Sequence, residues 1–134
     1  MKALLLYPSN PLSFFTFPKF TQHMGVKTLQ PPLGLITVAA LLPRDWQLRL
    51  VDLNTEPIPS HLWDWADLVM ISGMIIHRHN LLALIREAKA LGKPVVVGGP
   101  YANSLPEEIL QAGTLCRNRT TTDNRLYSLC ARSA

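Results

Sequence analysis

Two short apolar runs and the amphipathic stretch between them form the clearest hydrophobic pattern in the sequence. Leu68–Ile71 and Val95–Val97 are uninterrupted apolar segments, which is typical of strands buried on both faces of a parallel sheet. Between them, apolar residues recur at helical spacing from Leu81 to Leu91, with charged residues in the intervening positions. This pattern predicts a strand–helix–strand unit with a right-handed crossover.

Two further segments complete a set of four predicted strands. Lys2–Tyr7 is mostly apolar and predicts a buried strand, whereas the alternation in Gln47–Asp52 predicts an edge strand with one face in water. Helices are predicted at Leu35–Leu42 and, with Ser60 as its cap, in a short segment that ends at Trp65.

Residues with capping chemistry mark the ends of the later helices. Asn80 is a candidate N-cap and Gly92 a candidate left-handed C-terminal residue for the helix between the two apolar runs. Ser104-Leu105-Pro106-Glu107 matches a capping box with proline in the first turn, which predicts a last helix that ends at Gly113.

The segment from Pro8 to Pro32 has no hydrophobic period and is predicted to be a long loop. We expect its phenylalanine rings to pack on the sheet or on a partner domain, and the alternative is that they cover a large flat ligand. These phenylalanines are Phe14, Phe15, Phe17 and Phe20.

The alternation of strands and helices predicts a doubly wound α/β fold of three layers, with four parallel strands in the order 2-1-3-4. A fifth strand is expected next, but residues 114–134 are polar, basic and aperiodic. We therefore expect one incomplete α/β domain at residues 1–113, followed by an atypical tail that is disordered or results from a frameshift. The Val95–Val97 strand would then be an exposed edge, open to self-association or docking.

The net charge of +4 is concentrated in the tail. Residues 1–113 hold nine Lys and Arg against eight Asp and Glu, whereas residues 114–134 hold four Arg against one Asp. Because the body has no basic stripe, we expect no nucleic-acid partner. No apolar run is long enough to span a bilayer, and the N-terminus does not match a signal peptide, so we expect a cytoplasmic protein.

Several nucleotide and metal sites are excluded by the residues that follow the strands. Pro8-Ser9-Asn10-Pro11 occupies the position of a dinucleotide-binding G-x-G-x-x-G motif, and a P-loop is absent. Cys116 and Cys130 lack the spacing of a zinc site. Asp52-x-Asn54 follows the second strand, where an acid can bind a ribose hydroxyl, but capping of the loop is the favoured role.

Small residues end the third and fourth predicted strands. Ser72-Gly73-Met74 and Gly98-Gly99-Pro100 are expected at the same edge of the sheet, where open α/β sheets bind ligands. Because glycine has no side chain, a bulky ligand can approach the backbone closely there.

These strand ends resemble part of a cobalamin (B12) signature. More specifically, PPLGL from Pro31, DLN from Asp52 and GGPYANSLPEE from Gly98 resemble the N-terminal cobalamin-binding domain of B12-dependent radical SAM proteins. The resemblance covers residues 1–113 and implies that a corrin lies across the carboxyl ends of the strands. It implies that the nucleotide tail of the cofactor enters a crevice beside the first and third strands, lined by Ser72, Gly98 and Gly99.

The resemblance also implies a rim of residues near the corrin ring. The full cofactor-binding set that it implies is Pro8, Ser9, Ser72, Gly73, Met74, Gly98, Gly99, Pro100 and Tyr101. Pro8, Met74, Pro100 and Tyr101 are expected at the rim, with the phenol of Tyr101 able to donate a hydrogen bond.

Two elements known from relatives of this family are absent from the sequence. The D-x-H-x-x-G motif that supplies a cobalt ligand is missing, so we expect no protein histidine on cobalt. His77 and His79 are expected to be solvated loop residues. The C-x-x-x-C-x-x-C motif of the radical SAM barrel is also missing, so we expect no iron–sulfur cluster in this chain and no catalysis by the chain alone.

The leading interpretation is a cobalamin-binding module that resembles the N-terminal domain of a B12-dependent radical SAM enzyme, with a corrinoid as its small-molecule partner. The alternative is a non-binding α/β remnant or an interaction domain that associates through its exposed edge strand. A small enzyme that uses another ligand is disfavoured, because no acid, base and nucleophile occur together.

Overall fold

The computed structural model describes residues 1–11, 18–26 and 31–112, which form a four-stranded parallel sheet with helices on both faces. The order of the strands is β2-β1-β3-β4, which confirms the predicted doubly wound topology. The strands are β1 (Lys2–Tyr7), β2 (Gln47–Asp52), β3 (Leu68–Ser72) and β4 (Val95–Gly98).

Within the described ranges, six helices and one 3-10 turn connect and flank the strands. They are α1 (Pro18–Met24), α2 (Leu33–Leu41), α3 (Ser60–Trp65), the 3-10 turn Ile75–His77, α4 (Arg78–Ala90), α5 (Pro100–Ser104) and α6 (Pro106–Gln111). Helix α1 lies in the segment that was predicted to be a loop without secondary structure. The predicted positions of the phenylalanine rings and the predicted tail at 114–134 lie outside what the structure describes.

Alternating side chains of the central strands divide the core into two layers. Leu4 and Leu6 of β1 and Ile71 of β3 belong to the larger cluster, which packs against α3, α4, α5 and α6. Ala3 and Leu5 face the opposite side and pack with Leu35 of α2. The predicted three-layer arrangement therefore follows from the twofold alternation of strands buried on both faces.

The central position of β1 explains its composition. Residues Ala3 to Leu6 have no solvent exposure because β1 pairs with β2 on one side and with β3 on the other. By contrast, β2 pairs with β1 at the sheet edge, and Leu50 keeps 39% of its surface exposed. This difference confirms that the alternating pattern of β2 indicates an edge strand.

Helix α4 ends as predicted but does not begin as predicted. Gly92 has a φ of 69°, which is the left-handed conformation expected of a residue that ends a helix. The helix starts at Arg78, and the side chain of Asn80 lies inside its first turn. Asn80 is therefore not the N-cap, because its amide group donates to Ser9 in the loop after β1 instead.

The predicted last helix is present as α6, and a further short helix, α5, precedes it and is separated from it by Leu105. Leu105 has φ −132° and ψ 62°, because the following Pro106 disfavours helical geometry at the residue before it. The predicted capping box is wrong, since the hydroxyl of Ser104 donates to the carbonyl of Pro100. The prediction that Ser60 caps α3 is also wrong, because Ser60 is its first helical residue and Pro59 precedes it without a side-chain cap.

Candidate ligand site at the carboxyl edge of the sheet

The last residues of β3 and β4 lie opposite one another. Ser72 pairs with Gly98 in the parallel register, one step after Ile71 pairs with Val97. Because side chains alternate along a strand, position 72 and position 98 share the face of Met70 and Val96, which pack in the α2 layer. The two small residues therefore open the same face of the sheet at its carboxyl edge.

A cavity of about 260 Å³ lies at this opening, between α2 and the β3–β4 pair. Its lining is largely apolar, and Ser72 contributes the one side-chain hydroxyl among the lining residues. The lining residues are Gly34, Leu35, Val38, Met70, Ile71, Ser72, Val96, Val97, Gly98 and Gly99. The arrangement provides a slot for an apolar group that enters from the carboxyl edge of the sheet.

Gly98 keeps this slot open. A Cβ atom built at Gly98 would meet no atom within 4 Å, so the strand backbone itself tolerates a side chain there. Since Gly98 lines the cavity, any such side chain would occupy the space that the missing side chain now leaves. The backbone at this position does not require glycine, but an open cavity does.

Glycine at position 99 is required by the conformation and packing of the backbone. Its φ is 90°, and a Cβ atom there would lie 2.6 Å from the hydroxyl oxygen of Ser72 and 3.1 Å from the carbonyl oxygen of Gly73. The backbone N–H of Tyr101 donates to that carbonyl at 3.1 Å. The second glycine therefore allows the turn after β4 to pack directly on the turn after β3.

The loop after β1 is held by amide side chains from two other loops. Asn54 accepts a hydrogen bond from the backbone N–H of Asn10 at 2.7 Å, and Asn80 donates to the carbonyl and hydroxyl oxygens of Ser9, both at 2.9 Å. Asp52 in turn accepts from the backbone and side-chain amides of Asn54 at 2.9 and 2.7 Å, which confirms its predicted loop-capping role. These contacts fix the segment from Pro8 to Asn10 at the carboxyl edge.

His77 is buried, and the prediction that it is a solvated residue is wrong. Its Nδ1 accepts a hydrogen bond from the backbone N–H of Met74 at 3.0 Å, so the ring proton is on Nε2, which donates to Oδ1 of Asn10. Its ring also makes an edge contact with Tyr7 at 5.2 Å between centroids. Burial lowers the pKa of His77, and the negative charge of Asp52 partly opposes this shift. His77 thus joins the loops after β1 and β3 as a neutral imidazole.

Tyr101 lies in the core and not at the rim where the sequence placed it. Its side chain has no solvent exposure, and its phenol donates to Oε2 of Glu108 at 2.7 Å. Nε of Arg78 donates to the other carboxylate oxygen of Glu108 at 2.8 Å. Burial, with the neighbouring carboxylate, raises the pKa of Tyr101 to about 12. The side chain of Tyr101 in α5 is therefore bonded to Glu108 of α6, and that carboxylate also binds Arg78 of α4.

Comparison with known families identifies the domain. The profile of the B12 binding domain family matches residues 25–124. This chain belongs to the B12-binding domain family. The match includes α2, β3 and β4, the three elements that form the cavity.

Two curated relatives are methylating enzymes by name. The chain is 50% identical over 113 residues to an uncharacterized methyltransferase of Synechocystis sp., an alignment that covers 84% of this chain and 21% of the relative. It is 36% identical over 107 residues to the hopanoid C-2 methylase of Rhodopseudomonas palustris, covering 79% of this chain and 20% of the relative. The B12-binding domain thus spans about a fifth of the length of these relatives. No solved structure gave a significant match.

The structure distributes the residues of the predicted site among three environments. Ser72, Gly98 and Gly99 line one cavity together, but its lining comes from α2 and the β3–β4 pair and includes no residue of β1, beside which the crevice was expected. Pro8, Gly73 and Tyr101 are buried, Ser9 and Met74 are partly exposed, and Pro100 is exposed at the start of α5. His79 is exposed, in agreement with its expected solvated position. None of the helices in the described ranges has the length and apolar character needed to cross a membrane.

Sequence reasoning missed the cavity residues outside the two glycine-containing turns. These are Gly34, Leu35, Val38, Met70, Ile71, Val96 and Val97. The strand residues Met70 and Val96 could have been found, because each precedes a predicted site residue by two positions and so shares its face. The α2 residues carry no such signal, because almost every residue of this helix is apolar and its sequence does not indicate which side meets the sheet.

Proposed function

We propose that this domain binds cobalamin, with the corrin over the carboxyl edge of the sheet and the nucleotide tail in the cavity beside α2. The observation that carries this proposal is the opening above Gly98, where a Cβ atom would meet no protein atom within 4 Å. A strand end that is free of a side chain, next to an apolar slot, fits an inserted aromatic group better than a polar metabolite. Membership of the B12-binding family supports the same ligand.

The residues present fit such a cofactor in three respects. The cavity offers apolar contact from Leu35 and Met70, and the hydroxyl of Ser72 lies at its polar end. The segment Pro8–Asn10, fixed by Asn80, provides a rigid wall at the carboxyl edge. The cobalt of the bound corrin would supply the methyl-transfer chemistry, while this chain binds and orients the cofactor.

We further infer that the domain is the cobalamin module of a longer radical SAM methyltransferase and is inactive by itself. The names of the two relatives and their fivefold greater length support this assignment. We expect no histidine of the protein on cobalt, since both nitrogens of His77 are used by Met74 and Asn10. The absence of an iron–sulfur cluster from this chain and the cytoplasmic location stay predictions.

Reconstitution with hydroxocobalamin tests the proposal directly. The purified protein is mixed with excess hydroxocobalamin and passed through a gel-filtration column, and we expect corrin absorbance to elute with the protein in a ratio near one to one. The paramagnetic resonance spectrum of the reduced Co(II) complex is expected to lack nitrogen splitting from the protein. Complete separation of corrin from a folded protein would contradict the proposed function, and splitting by a protein nitrogen would contradict the predicted cobalt environment.

The alternative is association through the edge of β4. In the described part of the chain β4 pairs with β3 alone, so the other side of its backbone is available for pairing. Sedimentation velocity over a hundredfold concentration range distinguishes the cobalamin-binding module from the interaction domain. Because β4 has only four residues, we expect the sedimentation coefficient to stay that of a monomer. A concentration-dependent dimer that binds no corrin would favour the interaction domain.

A further inference from the structure

The cavity beside α2 has little capacity for hydrogen bonding. Its side-chain lining consists of aliphatic groups and one thioether, apart from the hydroxyl of Ser72. The backbone groups of its floor take part in the ladder in which Met70 pairs with Val96 and Ser72 with Gly98. A polar group that entered the interior of the slot would therefore lose its bonds to water without finding a partner.

The floor of the cavity is held in place by packing on the α2 face of the sheet. Met70 and Val96 pack together with Trp46 on that face. On the opposite wall, Leu35 anchors α2 to the sheet, with only 3% of its surface exposed. The slot is thus shaped by packed side chains from both sides, and its polarity is a fixed property of the folded domain.

The size of the cavity restricts what it can take. Its volume of about 260 Å³ is at the lower end of ligand pockets, which commonly measure roughly 300–1,000 Å³. It is therefore too small for a whole corrinoid and suits a single bicyclic ring with its attachment. Of the parts of a corrinoid, the lower base of the nucleotide tail has this form.

We propose that the cavity selects corrinoids by their lower base, favouring an alkylated benzimidazole over a purine that carries an exocyclic amine. This inference rests on the proposed function. The methyl groups of the benzimidazole gain contact with Met70 and Val96, whereas the amine of a purine has no side-chain acceptor beyond the single hydroxyl of Ser72. Discrimination between ligands that differ in this way amounts to about tenfold or more.

Three corrinoids test the selection. Cobalamin, the analogue with adenine as its lower base, and cobinamide, which has no nucleotide tail, are each titrated into the protein and followed by visible absorbance. We expect cobalamin to bind about tenfold or more tightly than the adenine analogue, and cobinamide to bind most weakly. Equal affinity for the first two, or tighter binding of the adenine analogue, would overturn the selection and leave the proposed function intact. Failure of all three to bind would overturn both.

A change of polarity inside the cavity provides the second test. Val96→Thr keeps the shape of the side chain and adds a hydroxyl to the floor, so we expect the ratio of the two affinities to fall by about threefold or more. Val38→Thr makes the same change at the α2 wall, where the residue is 39% exposed and the fold is less sensitive. Val26→Thr is the matched control, because Val26 is exposed and does not line the cavity. An unchanged ratio in both cavity variants, with thermal melts that show folded protein, would overturn the selection.

Discussion

Replacing Gly98 with valine is expected to abolish the elution of cobalamin with the protein while leaving the domain folded. The new side chain lies on the α2 face and fills the slot, but no protein atom lies within 4 Å of its Cβ position. Valine also suits a strand better than glycine does. We expect affinity to fall about a hundredfold or more, which corresponds to roughly 2.8 kcal/mol of binding free energy. Titration by visible absorbance measures the loss.

Two further variants test whether the loss of cobalamin binding is specific to a side chain at position 98. Ala40→Val adds two methyl groups at an exposed position of α2 outside the cavity, and its affinity for cobalamin should equal that of the parent protein. Gly99→Ala is expected to unfold or strongly destabilise the domain, because its left-handed φ and the 2.6 Å approach to Ser72 leave no room. If Gly98→Val binds cobalamin with unchanged affinity, the nucleotide tail does not use this cavity.

Replacing His77 with leucine is expected to lower the free energy of unfolding by about 2–4 kcal/mol. The substitution leaves the backbone N–H of Met74 and the side-chain oxygen of Asn10 without their partner, and each lost bond to a buried group costs about 1–3 kcal/mol. Urea unfolding measures the change. His79→Leu is the matched control two residues further on, where the side chain is exposed and little change is expected.

The same variant should alter the dependence of stability on pH. Burial lowers the pKa of His77 in the folded state, so the unfolded chain binds the proton more readily. Stability is therefore expected to be complete above pH 6.5, the ordinary histidine value, and to decline as the pH falls from 6.5 toward the lower pKa of the folded state. The slope from this one group is at most about 1.4 kcal/mol per pH unit. A decline of equal size in His77→Leu would show that His77 is not its source.

The sheet could be predicted because its signals are local. The apolar runs of β1, β3 and β4 bury both faces of each strand, and the alternation in β2 places it at the edge. Ser72 and Gly98 could be placed together for a similar reason, since parallel strands of known order bring their carboxyl ends to one side. The strand ends and their adjacency were thus predictable from the chain.

Local capping signals were weaker guides, because distant partners competed for the same groups. The amide of Asn80 has the chemistry of an N-cap, but it donates to Ser9, 71 residues earlier in the chain. The phenol of Tyr101 could have faced a ligand, but it donates a hydrogen bond to the carboxylate of Glu108 instead. When a side chain can form a hydrogen bond either with a neighbour in sequence or with a distant residue, the fold determines which partner it uses by bringing that partner within reach.

The amino-acid sequence by itself determined the parallel sheet, the order of its strands and the small residues at their carboxyl ends, because hydrophobic periodicity and glycine act over a few residues. Only the tertiary structure decided that α2 forms one wall of an apolar cavity, that Gly98 keeps it open while Gly99 serves the backbone, and that His77 is a buried link between two loops. Each of these depends on packing between segments that are far apart in the chain. The spacing of residues within one segment does not indicate which of its sides will contact another segment.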